Sequence, residues 1–127
     1  IFHHSMRHVR ESFVVAEAAA SPADRIEGLI RGAFAIVRRN LDFWRLSYAS
    51  RMQTAVIGTL GDELRGWTEE IRSTLELYFR EVGEPSPEIE AAILFAVIDG
   101  VSQHFVLNPE RYPLDAVADA LVAKYRR

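Results

Sequence analysis

Ala91-Ala92-Ile93-Leu94-Phe95-Ala96-Val97-Ile98-Asp99-Gly100 carries eight apolar residues before its first charge, inside a segment that opens at Ser86-Pro87-Glu88 and is broken by Asn108-Pro109. A hydroxyl N-cap, a proline at the first helical position and a following carboxylate make a good helix start, and Asn-Pro makes a good stop. The segment therefore reads as a helix to about Leu107. Ala91, Ala92, Phe95, Ala96, Asp99, Gly100 and Gln103 leave it apolar over a wider arc than one core-facing stripe requires, so it has two sides to bury. Small residues at 92, 96 and 100 would let another helix approach closely, and in a twofold dimer that helix can be its own copy. The alternative is the central helix of a monomeric bundle.

Downstream, Asn108-Pro109-Glu110-Arg111-Tyr112-Pro113-Leu114 is a short connection, and Leu114, Val117, Ala118, Leu121, Val122 and Tyr125 form a final helical stripe. Upstream, Gly83 and Pro85 close a long helix whose buried side is Leu60, Leu64, Trp67, Ile71, Leu75, Tyr78, Phe79 and Val82. Gly58 and Gly61 loosen the chain before that helix, each costing about 1 kcal/mol relative to Ala in a helix. Leu41, Trp44, Leu46, Tyr48 and Met52 predict a short aromatic helix after a break at Asn40. Ser21-Pro22-Ala23-Asp24 starts a helix bearing Ile26, Leu29, Ile30, Ala33, Phe34 and Val37, and Phe2, Met6, Val9, Phe13, Ala16 and Ala20 mark a first one over roughly 1–19. No segment alternates with period two, and no internal repeat is evident. The expectation is an all-α, single helical-bundle domain of about six helices.

The chain has 127 residues, 49% of them hydrophobic and 26% charged, which suits one folded domain and not a disordered segment. Its net charge of −3 argues against a module that neutralises phosphates, so the chain itself is not expected to hold DNA. With no cysteine, disulfides and thiolate chemistry are excluded. The longest unbroken apolar run, Ala91 to Ile98, falls short of the ~20 residues that cross a bilayer, and no signal peptide opens the sequence, so a cytoplasmic location without membrane contact is expected. The missing initiator Met, with a helical pattern already running at Phe2, is expected of a chain cut from a longer one.

The helix order over the whole chain, and most sharply the glycine turn, the apolar helix interrupted by Ile98-Asp99-Gly100, the Asn108-Pro109 to Tyr112-Pro113 connection and the last amphipathic helix, resembles the C-terminal domain of TetR-family transcriptional regulators. The resemblance implies that the last two helices pack against those of a second subunit as a four-helix dimer interface. It implies that earlier helices enclose a pocket for a small effector that biases DNA-binding heads. This sequence shows no helix-turn-helix, so operator DNA would be reached only through an N-terminal domain outside it. On that resemblance the dimer interface is expected at Ala92, Phe95, Ala96, Asp99, Gly100, Gln103, Val117 and Leu121.

Candidate ligand contacts follow from the aromatic set Phe34, Phe43, Trp44, Tyr48, Trp67 and Tyr78 on the middle helices. Aromatic walls with a few polar tips suit an apolar or aromatic molecule, and they equally make an ordinary core. Arg38, Tyr48, Gln103 and His104 are the polar groups placed nearest by helical phase. The expected ligand set is Phe34, Arg38, Trp44, Tyr48, Trp67, Tyr78 and His104. His4 and His8, four apart, have a chelating spacing without a committed third ligand, so a solvated histidine face is expected, with no metal and no cofactor. There is no glycine-rich phosphate loop and no Gly-x-Ser-x-Gly elbow, and carboxylates alternate with arginines as on a wet helix face; no enzyme is expected. The rival to a homodimeric ligand sensor is a helical interaction scaffold with a filled core and no small ligand.

Overall fold

A computed structural model of the chain describes residues 2–19, 21–51 and 54–126; the side chains at 2, 51, 54–60 and 64 are outside the description. Among the described residues there are six helices and no strand: α1 (Phe2–Glu17), α2 (Pro22–Arg39), α3 (Leu41–Arg51), α4 (Thr54–Glu81), α5 (Pro87–Leu107) and α6 (Leu114–Tyr125). The expected stripe positions Ala20 and Met52, and the side chains of Phe2, Leu60 and Leu64, lie outside the described residues.

The helix boundaries follow local chemistry. Ser21 has extended backbone, its hydroxyl accepts from Asp24 N at 3.2 Å, and Pro22 opens α2. Asn40 ends α2 by donating from both its backbone N and its side-chain amide to the Ile36 carbonyl. At the end of α4, Glu84 N donates to Phe79 O and Gly83 N to Arg80 O, a Schellman closure that requires the left-handed backbone found at Gly83, φ +81°. Two expectations are revised. Ser86 and Pro87 do open α5, but the Ser86 hydroxyl makes no capping bond. Gly58 and Gly61 do not precede α4: the helix begins at Thr54 and runs through both. In a 28-residue helix anchored by Ile71, Leu75, Tyr78 and Phe79, tertiary burial outweighs two glycine penalties.

Helix α2 is the hub. It packs along α1 and against α3, α4, α5 and α6, and accordingly buries Ile26, Leu29, Ile30, Phe34, Ile36 and Val37 over more than one stripe. The other main pairing is α4 against α5, while α6 closes the far side of α2 with Leu114, Ala118, Leu121 and Val122. Helix α5 spans 21 residues with a mean hydropathy of 1.4 over its most apolar window, enough by length and composition to cross a membrane. Its packing against α2, α3 and α4 is that of a helix within a bundle.

Ion pairs tie the periphery. Arg31 bridges Glu27 and Asp119, each at 2.9 Å, and Arg126 reaches both Asp24 and Glu27, so α2 and the end of α6 are linked by a chain of charges. These arginines are held above their ordinary pKa, and Asp24 and Glu27 below theirs, chiefly by the hydrogen bonds between them.

Candidate functional site

Five helices leave a space between them. A cavity of about 90 Å³ is bounded by Val9 and Phe13 of α1, Leu29 and Val37 of α2, Trp44 and Tyr48 of α3, Trp67 and Ile71 of α4, and Phe95 and Ile98 of α5. The wall is almost entirely apolar. Trp44 and Tyr48, one turn apart on α3, lie 5.6 Å between ring centroids, and Phe43 meets Trp44 edge-on at 5.5 Å. The polar residues on the wall are His8, Ser12, Asp99 and Ser102, beside the aromatic Trp44, Tyr48 and Trp67.

Helix α1 contributes more than the aromatic pattern suggested. Its Ser5 hydroxyl meets that of Ser47 on α3 at 3.1 Å in a buried contact, and Ser12 Oγ donates to the His8 carbonyl. His8 packs against Phe43 at 5.2 Å and Trp44 at 5.6 Å, and against His4 at 4.7 Å. Burial first, then the neighbouring His4, Arg7 and Arg39, lowers the His8 pKa from its ordinary value against an opposing pull from Glu11, so the neutral ring is favoured. His8 Nδ1 and Trp44 Nε1 are both buried and have no hydrogen-bond partner. Among the described residues no group of three or more histidines and carboxylates gathers as a metal site; His4 instead accepts from Arg7 at 3.3 Å.

Three of the seven expected ligand residues, Trp44, Tyr48 and Trp67, are on the cavity wall. The other four are elsewhere, for reasons visible in their contacts. Phe34 is buried in the core and does not bound the cavity. Arg38 projects outward, bonds Asp115 at 3.0 Å and lies over the Phe105 ring, a strut between α2 and α6. Tyr78 is buried near the other end of α1, where its hydroxyl donates to Glu17; burial and that carboxylate raise its pKa to about 12. His104 is exposed and stacks on Tyr112. The residues missed were His8, Phe13 and the inner face of α5; the polar Ser5, Ser12 and His8 within an otherwise apolar α1 stripe were the available signal.

The outer face of α5 has its own pattern. Ile89, Ile93 and Leu107 are 58%, 46% and 79% exposed, and with Ala96, Gly100 and Gln103 they step along the helix by four and three. On α6, Ala116, Ala120 and Ala123 form a comparable exposed line of small residues. Of the expected interface set, Ala96 and Gln103 are exposed and Ala92, Gly100 and Val117 half-buried. Phe95 and Asp99 turn inward to the cavity, and Leu121 is buried in the protomer's own core. The expected set spans two faces because small and large apolar residues occur all around α5; the four-three step Ile89, Ile93, Ala96, Gly100, Gln103, Leu107 separates them.

The helices thus form a bundle with a largely apolar cavity bounded by α1 to α5 and an exposed apolar stripe along α5. The family profile of the C-terminal domain of BetI-type transcriptional repressors matches residues 22–125. The chain belongs to the TetR family of transcriptional regulators, as a C-terminal regulatory domain. Neither the curated proteins nor the solved structures give a match.

Proposed function

We propose that the chain works over residues 1–127 as one effector-binding and homodimerisation domain, cytoplasmic and non-enzymatic, in which a small apolar or aromatic molecule occupies the cavity. The observation that carries this reading is the cavity itself: Trp44, Tyr48, Trp67 and Phe95 wall a space that a scaffold bundle would fill with side chains. Ligand in that space touches α1, and α1 is the element that would pass the signal toward a DNA-binding unit of the full-length regulator. The signal has the size of the ligand's differential affinity for two arrangements of α1, not of its affinity as such. Homodimerisation would use the outer stripe of α5 with α6, giving a four-helix interface around the twofold axis.

A thermal-shift screen of hydrophobic metabolites tests the reading. A ligand that binds only the folded state adds about 2.7 kcal/mol at a hundredfold excess over Kd, a shift easily read. A chain that gains no stability from any apolar ring compound would return the bundle to the scaffold reading.

A further inference from the structure

Helix α1 is held at its two ends by different chemistry. At its C-terminal end Ala16 is fully buried, and Gly28 of α2 comes so close that a Cβ there would lie 3.6 Å from the Ala16 Cα. Glu17 accepts from the Tyr78 hydroxyl of α4 beside it. Toward the N-terminus the contacts run to α3 instead. They are the buried Ser5–Ser47 hydroxyl pair and the rings of His4 and His8, His4 against Phe43 at 4.5 Å and His8 against both Phe43 and Trp44.

Packed in this way, His8 has no place for a second proton. Its Nδ1 is buried without a hydrogen-bond partner, so a neutral ring protonated at Nε2 hides only a lone pair there. Protonation would turn that atom into a donor with no acceptor and add a charge that burial disfavours. The surrounding charges give little relief. On α1, His4 and Arg7 oppose a positive ring while Glu11 favours one, but Glu11 is paired at 3.6 Å with Arg39 of α2, which opposes it too. Helix α3 presents the rings of Phe43 and Trp44. On the cavity wall that His8 joins, α4 brings Trp67 and Ile71, and α5 brings the carboxylate of Asp99, which already has an interaction within the protein.

We propose that the N-terminal half of α1 is a proton-operated latch: uptake of a proton at His8 releases it from α3, while its C-terminal end stays seated on α2. Once released, the imidazolium reaches water, which supplies the acceptor that the packed arrangement lacks. Release is independent of any ligand, and only its use as a signal rests on the reading of α1 as the signalling helix. The His8 pKa is lowered in the packed form and returns to the ordinary 6.5 on release. The release equilibrium is therefore flat above that ordinary value and rises by up to about tenfold per pH unit as pH falls through the window below it.

The test is amide hydrogen exchange of the 127-residue chain, read by ¹H–¹⁵N spectra at about pH 7.5 and about pH 5 and corrected for intrinsic exchange rates. The expected result is a loss of protection of about tenfold or more at residues 6–12 of α1 at the lower pH. Residues 13–17 and helices α4 and α5 should hold within about twofold. His8→Leu should keep residues 6–12 protected at both pH values, whereas His4→Leu, at an exposed ring, should leave the response in place. Should His8→Leu fail to fold by circular dichroism, His8→Gln takes its place. Protection of residues 6–12 that is absent at the higher pH, or the same at both, overturns the proposal. So does a loss that persists in the His8 variant, one that vanishes in His4→Leu, or one that spreads equally over α5. None of these outcomes bears on whether the cavity holds a ligand, so the sensor reading stands or falls by its own thermal-shift screen.

Discussion

Leu94 is fully buried, while Ile93, one residue earlier on α5, is 46% exposed, and the contrast continues along the helix. Inward lie Ala91, Leu94, Ser102 and Phe105, with Phe95, Ile98 and Asp99 turned to the cavity; outward lie Ile89, Ile93, Ala96, Gly100 and Leu107. Both faces are apolar, yet within the protomer only one is enclosed. Hydrophobic free energy follows area removed from water, so the inner face contributes to folding and the outer face contributes only when something covers it. The same residue types therefore contribute to the stability of the protomer on one side and, in the proposed dimer, to association on the other.

Substitutions on the two faces should separate those roles. The largest effect is expected from Ala96→Glu, which would set an unpaired carboxylate in the proposed dimer contact; leaving a buried charge without a partner costs about 3–5 kcal/mol. Analytical ultracentrifugation should show dimer in the wild type at micromolar concentration and monomer in the variant. A wild-type monomer there would leave the outer stripe without its proposed partner.

Leu94→Ala acts on the inner face and should cost about 2–5 kcal/mol of stability by urea denaturation. Its neighbour Ile93→Ala should leave a monomeric background nearly unchanged, within about 0.5 kcal/mol, as exposed positions do. Equal losses at both positions would show that the two faces are not distinct.

Trp67→Leu probes the cavity side. It should preserve the helical circular dichroism signal while removing most of the thermal shift given by a ring ligand, up to about 2.7 kcal/mol at a hundredfold excess over Kd. An unchanged shift would place the ligand elsewhere.

The smallest expected effect is a pH dependence from His8. Because its pKa in the folded chain is below the ordinary 6.5, the unfolded chain binds more protons in the window between the two values. Stability from His8 is thus full above that ordinary value and is lost as pH falls through the window. Comparing urea midpoints at about pH 7.5 and about pH 5, the wild type should lose more than His8→Leu.

Helix identity was legible because its signals are local. The Ser21-Pro22 start, the Gly83 stop and the Asn108-Pro109 break act within a few residues of themselves, and all three coincide with observed helix ends. The stripe on α2 was only half legible: Ile36 is buried although it lies beside Val37, because a hub helix is covered from several directions. Glycines 58 and 61 misled for a related reason, since an intrinsic penalty of about 1 kcal/mol each is small beside the packing of a long helix.

The aromatic residues of the middle helices told a similar story. Trp44, Tyr48 and Trp67 converge on one cavity, whereas Tyr78 goes to Glu17 and Phe34 to the core, and nothing in residue type distinguishes the two groups. Arg38 and His104, adjacent in phase to buried residues, are long or terminal enough to reach Asp115 and Tyr112 instead.

The sequence by itself determined an all-α chain, the order and approximate ends of its helices, and the doubly apolar character of α5, because caps, breakers and a 3.6-residue period are written into neighbouring positions. Only the tertiary structure decided which apolar face of α5 meets the cavity, which stays open to a partner, and that His8 of α1 stands beside Trp44 of α3. Those outcomes depend on the rotation of each helix about its axis and on what α2 already covers. That is a property of the whole packing and not of any one segment.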